Sequence, residues 1–94
     1  MEQNNRAEKR TPFHQECFLS NGIHKIKTQT FDVSKMGVGL LINGSVPFER
    51  GDQMSVDINS IIFSSKASVQ WTKKDVKNKA TRVGLNLFSS LYDI

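Results

Sequence analysis

The chain has 94 residues, 37% of them hydrophobic and 23% charged, enough for one domain with one core. Its longest apolar runs, Leu40-Leu41-Ile42 and Ile61-Ile62-Phe63, exclude a transmembrane helix and the broad stripes of a helical bundle. Thirteen Lys and Arg against nine Asp and Glu give a net charge of +4, which favours an anionic partner such as a nucleotide, a nucleic acid or a membrane surface without choosing among them.

Residues 1–10 are polar, show no strand pattern and read as a flexible N-terminal arm; residues 11–94 read as the folded domain. Met1 to Asn5 lack the apolar centre of a secretory signal. From Pro12 onward the pattern is that of strands. Phe13 to Ser20 is the first, and Asn21-Gly22 predicts a hairpin into a second strand from Ile23 to Phe31, where Ile26, Thr28 and Thr30 alternate with lysines and Gln29. Asp32 to Gly37 reads as a turn, and Val38 to Ile42 as the third strand. A glycine turn over Pro47 to Asp52 leads to the fourth strand, carried by Met54, Val56 and Ile58. Ile61, Phe63, Ser65, Ala67, Val69 and Trp71 keep one face of a long fifth strand. Lys73 to Lys79 reads as a solvated loop, Val83, Leu85 and Leu87 as the inner face of a sixth strand, and Ser89 to Ile94 as a tail. Six short strands without a helical period predict an all-β domain, and closure into an antiparallel barrel removes the edges that invite aggregation.

Cys17 is the only cysteine, so neither an intrachain disulfide nor a cysteine metal cluster is expected; it reads as buried packing. His14 and His24 flank the hairpin and lack a third metal ligand. No nucleophile–base order, carboxylate pair or phosphate-cradling glycine loop marks an enzyme.

Two short motifs carry the chemistry. Arg6 and Arg10 form an RxxxR pair, and Asp32, Ser34 and Gly37 form DxSxxG. Guanidiniums match phosphate oxygens or the O6/N7 edge of guanine, whereas a carboxylate and a hydroxyl supply acceptors for its N–H edge. Glycine permits close approach of the backbone. An anion-binding pair and a purine reader in one small domain point to a nucleotide ligand.

These motifs resemble the ligand signature of the PilZ family, receptor domains for the bacterial second messenger cyclic di-GMP. Three further stretches resemble the same family: Pro47-Phe48-Glu49-Arg50-Gly51-Asp52, Val69-Gln70-Trp71, and Arg82-Val83-Gly84-Leu85-Asn86-Leu87-Phe88, so that the likeness runs from Arg6 to about Phe88. It implies a six-stranded PilZ-type barrel with cyclic di-GMP on its outer wall. Arg6 and Arg10 would contact phosphates and guanine edges as the arm closes, Asp32 would accept from guanine N–H groups, and Ser34 would bond base or phosphate. Gly37 would allow the turn and avoid a clash with the ligand. Trp71 is a candidate stacking platform if its ring faces outward. The resemblance implies a bacterial, cytoplasmic receptor that needs no cofactor, signals by ordering of its arm and acts through a partner protein. Two alternatives stand beside it: a small basic barrel binding single-stranded nucleic acid, and a PilZ-like adaptor that binds no nucleotide.

Overall fold

The computed structural model describes residues 9–90. Seven strands run in chain order: β1 (Thr11–Pro12), β2 (Glu16–Ser20), β3 (Lys25–Ser34), β4 (Gly37–Asn43), β5 (Gln53–Ile58), β6 (Phe63–Asp75) and β7 (Ala80–Leu87). A 3-10 turn over Asn59–Ile61 joins β5 to β6. All pairings are antiparallel. The order β3-β2-β5-β6-β7-β4 closes on itself through β3–β4, so six strands form the barrel and β1 is added to β3. Closure leaves the inner side chains nowhere to go but the axis. Leu19, Val38, Leu40, Val56, Ile58 and Val83 are fully buried there, with Leu85 and Leu87 nearly so.

The alternation read from the sequence is realised on β2, on β5 and on most of β3. Thr28 and Thr30 are buried while Lys25, Lys27 and Gln29 are exposed. Thr28 keeps its hydroxyl satisfied by donating to the Leu41 carbonyl at 2.7 Å, and Thr30 donates to the Phe13 carbonyl.

Several boundaries differ from the sequence expectation: β2 begins at Glu16 rather than Phe13, Ile61 lies in the 3-10 turn and not in the long strand, and four more differ for a plain physical reason. Asp32 to Ser34 belongs to β3, because β1 on one side and β4 on the other satisfy its backbone (Thr11↔Val33, Val33↔Val38). The turn is confined to Lys35 and Met36, since Ser34 already pairs with Gly37. The hairpin after β2 is wider than two residues. Asn21 Oδ1 accepts from the amides of Ile23 and His24 at 2.9 and 2.7 Å, and Gly22 takes φ +92°. β6 runs on to Asp75 and absorbs the first lysines of the expected loop. The two histidines do not meet, because β2 separates His14 from His24 along the barrel.

Two bulges shape the wall that matters below. On β3, Thr30 pairs with Leu40 and Asp32 with Gly39, so Phe31 is an extra residue. On β6, Val69 pairs with Leu85 and Trp71 with Gly84, so Gln70 is extra. A bulge breaks the two-residue period and re-aims the following side chains. Trp71, expected on one face with Ala67 and Val69, is therefore turned outward and is 43% exposed.

Candidate functional site

The two bulges lie in the same row of the sheet. Reading across four strands, that row is Asp32 on β3, Gly39 on β4, Gly84 on β7 and Trp71 on β6, each paired with the next. The neighbours of both glycines (Val38, Leu40, Val83, Leu85) are buried, so the glycines face outward. With no side chains there, the two outer residues lie down over the sheet. A Cβ on Gly84 would stand 2.3 Å from Trp71 Cε2 and Nε1. One on Gly39 would stand 2.7 Å from Phe31 Cζ and closer still to Asp32 Oδ1. Neither glycine has a positive φ; both are required by space, not by backbone freedom. They form a bare shelf, with a carboxylate at one end and an indole at the other.

Arg10 reaches this shelf because β1 delivers it. Pro12 pairs with Asp32 and Thr11 with Val33, which pins the chain one residue after Arg10 against the strand carrying the acceptors. Its Nη2 donates to Asp32 Oδ1 at 2.6 Å and its Nη1 to Ser34 Oγ at 3.1 Å. The Arg10 and Asp32 side chains are 42% and 25% exposed, so this short ion pair contributes at most about 1 kcal/mol to stability. Its consequence is positional: a rotamer-rich side chain is held at two points beside the shelf.

Gly37 lies under this arrangement. A Cβ there would come within 3.0 Å of both Arg10 Nη1 and Ser34 Oγ. Its φ is not positive, so the position matters here for space: a side chain would crowd the guanidinium and the Ser34 hydroxyl by a few tenths of an ångström.

Hollows open on both sides of the Trp71 ring. One, about 390 Å³, has Arg10, Gly37, Gln70, Gly84 and Asn86 in its wall. The other, about 570 Å³, is bounded by Phe31, Asp32, Lys73 and Arg82 among others. Another groove, about 430 Å³, opens elsewhere, between the diverging ends of β3 and β4, remote from the two motifs; its walls include Ile26, Lys27 and Ile42. Both hollows on the shelf are cationic, and Arg82 adds a guanidinium 5.2 Å above the Phe31 ring.

Of the residues singled out from the sequence, Arg10, Asp32, Ser34 and Gly37 converge at one end of the shelf, and Trp71 closes the other. Arg6 lies outside the described residues. Sequence reasoning missed Phe31, Gly39 and Arg82 as members of this surface, and took Gly84 only as part of a strand motif. Paired glycines on neighbouring outward positions of β4 and β7 were the available signal. No group of three or more His, Cys, Asp or Glu among the described residues is arranged to hold a metal.

The chain matches the family model described as "PilZ domain" over residues 4–91. No curated protein matches it in sequence. Among solved structures, the inhibitor of motility MotI/DgrA from Bacillus subtilis superposes with a TM-score of 0.80 at 15% identity, covering 97% of this chain and 46% of that one. The PilZ domain of YcgR from Escherichia coli, solved with c-di-GMP, superposes with a TM-score of 0.71 at 16% identity, covering 90% of this chain and 79% of that one. This chain thus spans about half the length of MotI/DgrA and most of the YcgR domain. A barrel closed in this order, with Arg10 of RxxxR and the DxSxxG residues brought to one wall and the family model matched along almost all of its length, belongs to the PilZ domain family.

Proposed function

We propose that this domain is a receptor for cyclic di-GMP and binds it on the Asp32–Trp71 shelf. The observation that carries the reading is the docking of Arg10 on both Asp32 and Ser34, three residues from two separate motifs on one wall. Each has work to do there. Arg10 presents a planar fork to a phosphate or to the O6/N7 edge of guanine, a charge-assisted bond about twice as strong as a neutral one. Asp32 holds Arg10 through one oxygen, and a carboxylate has further lone pairs for guanine N–H groups. Ser34 steadies the same guanidinium and completes the polar end. Trp71 offers an aromatic face at the other end, where a stacked base contributes about 1–3 kcal/mol.

Arg6 completes the pair in this proposal. Residues 1–10 act as an arm that closes over the bound dinucleotide, at a cost of about 1–2 kcal/mol per residue fixed, recovered from arginine–phosphate bonds. The closed arm is the surface a protein partner reads, in a bacterial cytoplasm. The resemblance to a PilZ domain solved with c-di-GMP supports the ligand class.

Calorimetric titration with cyclic di-GMP tests the reading. Arg10→Ala and Asp32→Ala should each weaken binding by about 1.5–3 kcal/mol, roughly tenfold or more. Absence of binding by the unaltered protein would overturn it, and favour the adaptor. Salt-steep binding to a mixed-sequence oligonucleotide alone would favour a nucleic-acid barrel. Amide exchange of residues 4–10 that is unchanged at saturation would refute closure of the arm.

A further inference from the structure

The hollow on the far side of Trp71 from Arg10 shares only Asp32 with the two motifs, yet it is the larger of the two. Its most ordered cation is Arg82, on β7 between Leu41 and Lys73. Two contacts hold that side chain. Its guanidinium carbon lies over the Phe31 ring at 5.2 Å, and its Nε faces Asp75 Oδ2 at 3.4 Å. Asp75 is itself fixed by Asn78, whose side-chain amide donates to Oδ2 at 2.9 Å and whose backbone amide donates to Oδ1 at 3.2 Å. The aromatic floor exists because of the β3 bulge: Phe31 is the extra residue, placed outward beside Asp32.

A guanidinium has two faces and five N–H donors. Phe31 lies beneath the guanidinium and Asp75 faces its Nε, while the side chain as a whole is 48% exposed. An arginine held over an aromatic ring and braced by a carboxylate has already lost much of its rotamer freedom, so it can meet a flat group at little further entropic cost. Lys73 and Lys74 line the same hollow and raise its affinity for anions.

We propose that Arg82 is a ligand-contacting residue of this domain. Its guanidinium stacks on a purine ring of the bound cyclic dinucleotide, on the side of Trp71 opposite Arg10. The inference rests on the proposed binding of cyclic di-GMP and adds an arginine to those of the two motifs. A ligand over the outer face of Trp71 reaches both hollows, with Arg10 serving one and Arg82 the other. The stack Phe31–Arg82–purine explains why the planar cation sits on an aromatic floor, an arrangement that a point charge steering phosphates would not need.

The test compares Arg82→Gln, Arg82→Lys and Lys73→Gln by calorimetric titration with cyclic di-GMP, each with a thermal melt. Losing one stacked base contact should weaken Arg82→Gln about tenfold or more. Arg82→Lys should be weakened nearly as much, because it keeps the charge and loses the plane. Lys73→Gln should bind within about threefold of the unaltered protein, as expected for a screened charge without a defined contact. Arg82→Gln binding as tightly as the unaltered protein would overturn the proposal, as would full recovery in Arg82→Lys. A melt lowered by Arg82→Gln with affinity intact would assign the residue to loop anchoring alone and also overturn it. If the unaltered protein binds no cyclic di-GMP, the functional reading fails and this inference falls with it; if it binds and the Arg82 variants bind equally, this inference fails alone.

Discussion

Gly84→Ala sets two effects of opposite sign against each other. Gly84 is in extended backbone within β7. On propensity alone, alanine there should stabilise by about 0.4–1 kcal/mol, because glycine inside a strand loses more chain entropy on folding. The new Cβ, however, would stand 2.3 Å from two atoms of the Trp71 indole and 2.7 Å from a third. Ordinary carbon contacts lie at about 3.5–4.0 Å, so the ring must lift by more than about 1 Å. Overpacking of this kind costs about 1–3 kcal/mol, and a half-exposed ring that can swing toward solvent places the cost at the lower end. The net expectation is destabilisation by up to about 0.5 kcal/mol, which lowers the melting temperature of a domain this size by up to about 2–4 °C. Trp71 is the only tryptophan, so its emission should shift to the red as the ring leaves the sheet. In Trp71→Ala/Gly84→Ala the clash is gone, and adding the alanine to Trp71→Ala should stabilise it, giving a coupling of opposite sign in a double-mutant cycle. A rise in melting temperature for Gly84→Ala alone, with unchanged emission, would refute the account of the shelf as space reserved for an indole.

Ile62 is a β-branched residue with φ 52° and 90% exposure. Ile62→Asn should therefore raise stability by about 1 kcal/mol, read as a higher denaturation midpoint, since asparagine tolerates the left-handed region far better. Cys17 is fully buried, and burial first, then the charge of Asp57, pushes its thiol up to about 12. An aromatic disulfide reagent at pH 8 should leave the native protein unlabelled and react in full once denaturant is added. The sign of the linkage follows: stability assigned to this thiol is intact below its ordinary value of 9.0 and declines as pH rises toward about 12. The carboxyl of Asp75 is held below its usual range, mainly by the Asn78 side chain and then by its amide. A depressed carboxyl contributes above its unfolded value and loses that contribution as pH falls through its folded value. Amide protection at Asn78 should accordingly fall in acid, and Asp75→Asn should abolish that pH dependence.

The barrel was legible in the sequence because its inner residues keep a period of two. Leu85 and Leu87, or Met54, Val56 and Ile58, have no other reasonable place than one face of a strand. The shelf was legible only in part. Asp32 and Ser34 looked like a turn because their side chains favour turns locally, and the pairing of β1 and β4 with that segment is a long-range fact. The bulges at Phe31 and Gln70 were invisible for a related reason: one added residue changes the phase of a strand without changing its composition. Hence periodicity puts Trp71 on one face with Ala67 and Val69, and nothing in the sequence connects Phe31 with Arg82. Gly39 and Gly84 are silent in composition, since what they do is leave room.

The pair of bulges separates two tasks that a uniform ladder would couple. Upstream of each inserted residue the strands keep the interior filled; downstream, the outward set is chosen afresh. Deleting one residue at either place would re-aim Asp32 or Trp71 while sparing core residues of the other strands such as Leu19 and Val56. The outward chemistry of this wall can therefore be retuned by single-codon insertions and deletions, a coarse adjustment that leaves most of the core in place.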